Sequence, residues 1–187
     1  MSSFSTGSGS GSASFSSSSY SSSSSFCNYV RVCGSVVEEF PLALHSFIVY
    51  CVRIPGTNDK LEGVIQGGPS QTDPLPYGYL VSTGSAGPNS GGIGCNDVAG
   101  PYFCKYALVL DLLGAAAAYG QLPDNPLLLY HYFPEVNPGK YNSNSYIRGI
   151  LNATGASASA PGFCPGWLKP IPLIYTPQYQ NNEEICR

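Results

Sequence analysis

Residues 105–119 (KYALVLDLLGAAAAY) read as one α-helix: the segment is long, dense in Ala and Leu, and followed by Gly120, which supplies a C-terminal stop. Its apolar residues run nearly all the way round the helix rather than along one stripe. Such a helix belongs at the centre of a domain rather than on its surface. The rest of the chain has to supply a layer that covers it.

Several segments read as strands. Residues 28–37 hold a short β-type run. Residues 42–54 (LALHSFIVYCVRI) form the strongest strand, rich in β-branched and aromatic side chains and closed by Pro55-Gly56. After a turn at Thr57-Asn58-Asp59, residues 60–66 (KLEGVIQ) read as its antiparallel partner, ended by Gly67-Gly68-Pro69. Residues 77–83 (YGYLVST) and 126–133 (PLLLYHYF) are two further strands, and residues 84–101, rich in Gly, Asn and Ser, read as a loop. A second helix is expected over 144–153, capped by Asn142 or Ser143 and stopped by Gly155. Its residues Tyr146, Ile147, Ile150 and Leu151 share a face that would pack on the sheet. From residue 157 onward the chain is Pro-rich and irregular. The expected fold class is α+β: an antiparallel sheet of the His45, Leu61, Tyr77 and Tyr130 strands with two packed helices, the one at 105–119 the more buried. Residues 1–25 are almost entirely Ser and Gly, so the expectation there is a disordered tail ahead of a domain spanning 26–187.

Charge excludes some functions. Only 10% of residues are charged and the net charge is -3, so there is no basic footprint for nucleic acid or for an anionic membrane surface. No stretch approaches the roughly 20 apolar residues that span a bilayer. The N-terminus lacks the basic start and apolar run of a secretory signal, which makes cytoplasmic the default expectation. The cysteine count, seven, is odd, and no CxxC pair occurs. Buried free thiols are the preferred reading, with a Cys95–Cys104 disulfide as the alternative in an oxidising compartment. Two His and no Cys/His cluster give no metal site, and no cofactor motif is present; the Gly-rich 84–94 stretch lacks the ending of a P-loop.

Two features stand above this background. His45 lies near the start of a strand, and Asn142-Ser143-Asn144-Ser145 opens a helix. A hydroxyl at a helix N-terminus sits beside unpaired backbone N–H groups that can hold an oxyanion, and a neighbouring His can act as a general base. Capping alone is the ordinary use of Ser and Asn there. His131 is a second possible base but lies in an aromatic strand. Cys164 has no charge beside it to activate its thiol. The sequon Asn152-Ala153-Thr154 falls at a helix end.

The run YNSNSYIRGIL (141–151), then Gly155-Ala156 and PGWLKPIP (165–172), resembles the "NSNSF" segment of bacterial papain-like-fold proteins. LHSFIV (44–49) resembles their "HxFI" strand, and LEGV (61–64) its hairpin partner. The resemblance covers most of residues 44–172 and implies the circularly permuted NlpC/P60-like arrangement. In catalytic members, such as the lecithin retinol acyltransferase-like proteins, the helix opens N-C-E-H-F. The resemblance then puts Ser143 at the nucleophile and His45 at the base; a catalytic reading adds the N–H groups of Asn144 and Ser145 for the oxyanion, and Glu62 on the paired strand as the residue that could orient His45. A Ser in place of Cys departs from that pattern. Two functions follow: a non-catalytic module that binds a small-molecule or peptide ligand, or a hydrolase or acyltransferase acting on an amide, ester or peptide bond.

Overall fold

The computed structural model describes residues 27–70, 77–83, 93–120 and 128–187. The tail expected over residues 1–25 lies outside them. Four strands form one antiparallel sheet: β1 (Tyr29–Val37), β2 (Phe40–Arg53), β3 (Lys60–Ile65) and, from further along the chain, β6 (Ile93–Asp97), in the order β3-β2-β1-β6. Short strands β4 (Gly67–Pro69) and β5 (Leu80–Ser82) pair with each other, and β7 (Leu129–Tyr130) pairs in parallel with β8 (Lys140–Tyr141). Helices α1 (Lys105–Gly120) and α2 (Ser143–Thr154) pack on the sheet. The α+β class with an antiparallel sheet and two packed helices is thus as expected.

The sheet's membership is not. The Tyr77 and Tyr130 segments do not extend the main sheet, whose other members are β1 and a strand from within the expected loop. The pairing changes at Gln66, between β3 and β4. There β3 leaves its partner, and Gly67 passes so close to α2 that a Cβ would lie 2.7 Å from the Tyr146 ring. Only glycine lets the backbone run against that ring, and β5 follows β4 away from the sheet.

Alternation along β2 splits its side chains between two faces. Ile48, Tyr50 and Val52 join Val30, Val32 and the helices in one large core, while Phe47 and Val49 join Cys33 and Val64 in a second cluster on the other face. In α2, Tyr146, Ile147, Ile150 and Leu151 are all fully buried, and Gly155 ends the helix at φ +72, as expected. The expectation that α1 is the more buried helix is corrected. The Pro-rich segment crosses the outside of α2, with Ser145 Oγ donating to the Gly166 carbonyl and Ile171 N–H donating to the Ser145 carbonyl. Ala117 and Gly120 of α1 stay exposed. The acidic residue in α1, Asp111, is fully buried and accepts from Tyr175 Oη at 2.9 Å and Gln178 N–H at 2.8 Å, tying the C-terminal segment to the helix.

The free-thiol reading is overturned. Disulfides join Cys27–Cys51, Cys33–Cys95 and Cys104–Cys186, leaving Cys164 as the free thiol. Cys95 pairs with Cys33, not Cys104, because β6 lies against β1, with Val32 opposite Asn96. Among the described residues no helix is long and apolar enough to cross a membrane.

Candidate ligand-binding site

Asn142 is the N-cap of α2. Its Oδ1 accepts from the Ser145 N–H at 3.0 Å, and its Nδ2 donates to the carbonyls of Tyr132 (2.9 Å) and Pro165 (2.7 Å). Asn144 reaches the sheet. Strand β3 pairs with β2 only from Ile48 onward. Below that point the open edge of β2 is completed by other groups: Asn144 Oδ1 accepts from Ser46 N–H at 2.7 Å, Asn144 Nδ2 donates to the Leu44 carbonyl at 2.9 Å, and Leu44 N–H donates to the Phe163 carbonyl at 2.8 Å. The carboxamide, with one donor and one acceptor side by side, stands in for a residue of the missing strand. Asn144 Nδ2 also donates to the Pro165 carbonyl at 2.8 Å, so both asparagines share one acceptor.

These bonds bring the helix start and the His45 strand together, as the sequence led us to expect, but through His45's neighbours. His45 falls on the face of Phe47, opposite the one that carries Ile48 and Tyr50 into the main core, and its ring stacks on Phe47 at 6.3 Å. Burial lowers its pKa, and a hydrogen bond to Gln66 works the other way. The expected orienting partner, Glu62, sits opposite Cys51, six positions along β2 from His45 or ~20 Å at ~3.3 Å per residue. It is paired instead with Lys60 at 2.9 Å.

Ser143 faces a cavity of about 300 Å³ between the β1–β2 hairpin and the start of α2. His45, Asn142 and Asn144 also line it, with Glu38, Glu39 and Phe40 from the hairpin and Tyr130, Tyr132 and Phe133 from the opposite wall. The Phe40 ring meets Tyr132 at 5.3 Å and Phe133 at 5.0 Å, both edge-on, which closes the wall. The Tyr130 hydroxyl is hydrogen-bonded to Ser143; burial is the larger effect and pushes that phenol up to about 12. Burial and then the Glu39 carboxylate raise the Tyr132 phenol as well. No Lys or Arg lines the cavity among the described residues. Its chemistry is therefore phenol, hydroxyl and carboxylate around aromatic faces. Glu38 and Glu39 were not singled out in the sequence, because two acidic residues just past a β-type run carry no motif and reach the cavity only through the fold of the hairpin.

The other candidates have structural roles. His131 Nδ1 accepts from Phe133 N–H at 3.1 Å and lies 3.2 Å from Asn137 Nδ2, fixing the turn after β7. Burial raises the Cys164 thiol to about 11, which leaves it protonated and unreactive. Thr154 is fully buried, donating to the Ile150 carbonyl at 3.0 Å, so the sequon's hydroxyl is spent within its helix. No group of His, Cys, Asp and Glu among the described residues is arranged to hold a metal ion. No protein-family model, curated protein or solved structure matches the sequence.

Proposed function

We propose that the chain is a papain-like-fold domain, in the permuted NlpC/P60-like arrangement, that binds a small-molecule or peptide ligand without catalysing a reaction on it. The observation that carries this reading is where the polar groups of the helix start are spent. The side chains of Asn142, Asn144 and Ser145 are all engaged with backbone partners, and the Ser145 N–H, one of the two oxyanion donors of the catalytic reading, is taken by Asn142. Ser143 is left to face the cavity beside a phenol. A Ser needs a well-aligned base to attack near neutral pH, and the His45 ring is stacked on Phe47. The packing of α2 against the His45 strand supports the papain-like assignment. The acidic, aromatic lining suits a ligand with a hydrogen-bonding or cationic group and a flat or apolar body.

A hydrolase or acyltransferase with Ser143 as nucleophile and His45 as base is the second reading, favoured by the fact that both line the same cavity. The three disulfides support folding in an oxidising compartment rather than the cytoplasm. The deciding experiment is labelling of the full chain with a fluorophosphonate probe, read by intact mass. The binding reading expects no adduct. An adduct that disappears in Ser143→Ala, with the variant still folded, would replace it with the hydrolase.

A further inference from the structure

A second, larger cleft of about 1100 Å³ opens at the other end of the sheet, where the start of β1, the end of β2, the first turn of α1 and the C-terminal segment meet. Its charge is the reverse of the first cavity's. Arg31, Arg53, Lys105 and Arg187 line it, half of the chain's eight Lys and Arg, and no Asp or Glu lines it among the described residues. In a protein of net charge -3 that gathering is opposite to the overall balance. The first turn of α1 adds the positive end of its dipole. Between the cations lie aromatic side chains: Tyr29, Tyr106 and Phe103, the last 57% exposed, with the Arg31 guanidinium 5.4 Å from the Tyr29 ring centre. Two disulfides, Cys27–Cys51 and Cys104–Cys186, stand in its walls and fix their spacing.

The cations differ in how their charge is met. Lys105 Nζ donates to the neutral Asn28 carbonyl at 2.8 Å, and its charge is met only at a distance, by the exposed Asp97 carboxylate. Arg31 pairs with Asp97 at 2.9 Å and Arg187 with Glu183 at 3.2 Å, but these pairs are solvent-exposed, and such pairs hold weakly. An incoming oxyanion can draw those guanidinium groups to itself, since arginine's fork matches a carboxylate, sulfate or phosphate bidentately.

The geometry points to a binding site for a small oxyanion carried on an aromatic body, such as an aryl phosphate, with the cations holding the anionic end and the rings stacking on the body. The site is independent of the cavity at Ser143. The test is calorimetric titration of the full, oxidised chain with 1-naphthyl phosphate, 1-naphthol and inorganic phosphate. One saturable site for the ester is expected, at least about tenfold tighter than for either half alone and weakened by added salt. Lys105→Gln and Arg53→Gln should each weaken the ester about tenfold, the scale of one lost charge-assisted contact, while Lys140→Gln, on β8 and outside the cleft, leaves it unchanged. Circular dichroism of each variant separates lost binding from lost folding, and Arg31→Gln serves where one fails to fold. Equal binding of naphthol and the ester, equal binding of inorganic phosphate and the ester, or cleft variants that bind like Lys140→Gln, would each overturn the assignment.

Discussion

Replacing Asn144 with Ala tests whether one carboxamide completes the edge of β2. The side chain serves three backbone groups: the Ser46 N–H, the Leu44 carbonyl and the Pro165 carbonyl. The Pro165 carbonyl keeps a second donor, Asn142 Nδ2 at 2.7 Å, so two groups are orphaned. Ser46 is fully buried, and an unmet buried donor or acceptor costs about 1–3 kcal/mol. The Ser46 N–H counts in full and the carbonyl of half-buried Leu44 only in part, so the expected loss is about 2–5 kcal/mol, reduced by the few tenths that Ala gains over Asn as a helix former. That is a large part of the roughly 5–15 kcal/mol by which domains are stable. Urea unfolding followed by circular dichroism would show it as a midpoint lowered by about 1–2 M at ordinary slopes. Asn152→Ala, on the exposed side of the same helix, should stay within about 0.5 kcal/mol of the parent. Asn144→Asp keeps an acceptor for Ser46 but turns an oxygen toward two carbonyls, and should lose at least as much as Ala. An Asn144→Ala variant with the parent's midpoint would refute the reasoning, since the edge of β2 would then close without the side chain.

Burial lowers the pKa of both His45 and His131, so the folded state favours their neutral forms. Their stabilising contribution is complete above the unfolded value near 6.5 and is lost as pH falls from there toward the lower folded values. Stability measured between pH 7 and 5 should fall less steeply in His45→Gln than in the parent; equal slopes would remove His45 from the account. Gly149→Ala should destabilise by about 1–3 kcal/mol although Ala is the better helix former, because its Cβ would collide with Ile171 Cγ1 and lie 3.0 Å from the Ile171 carbonyl oxygen. A thermal melt with an unchanged or raised midpoint would show that the segment at 171 yields. Alkylation of the denatured, unreduced chain should modify one cysteine, and after reduction all seven, as read by mass; the double variant Cys104→Ser, Cys186→Ser should lose up to ~4.5 kcal/mol for a loop of 82 residues.

The legible parts of the fold were those written in local patterns. The apolar helix, the hairpin of β2 and β3, and the second helix with its Asn cap and Gly stop each follow from neighbours within a few positions. The strand β6 (IGCND) was hidden because it is short, and its Cys33 bridge and β1 partners lie far off in sequence. Cysteine pairing is a relation across space, at separations of 24, 62 and 82 residues, and the count alone could not reveal it. His45 shows a different limit. The period of two separates its face from that of Ser46, but both faces of β2 carry buried apolar side chains, so the sequence does not say which one meets the helices. The approach of the Asn142–Ser145 block to the His45 strand was anticipated. That Asn144 makes it through Ser46 and Leu44 was not, nor were the acidic hairpin and the basic cleft, assembled from distant segments.

The disulfides also set how far the chain can be pulled. A tension applied between Cys27 and Cys186 has a covalent short cut: along the backbone to Cys33, across to Cys95, along to Cys104 and across to Cys186. That path holds about 15 backbone steps, which reach only ~50 Å fully extended, against more than 500 Å for the whole intervening chain. Stretched in an optical trap, the oxidised protein would therefore give up little length however large the force; the load would fall on the start of β1 and on β6, and β2, β3 and both helices would be shielded from it. Reduction would release the rest, turning a nearly inextensible link into a compliant one.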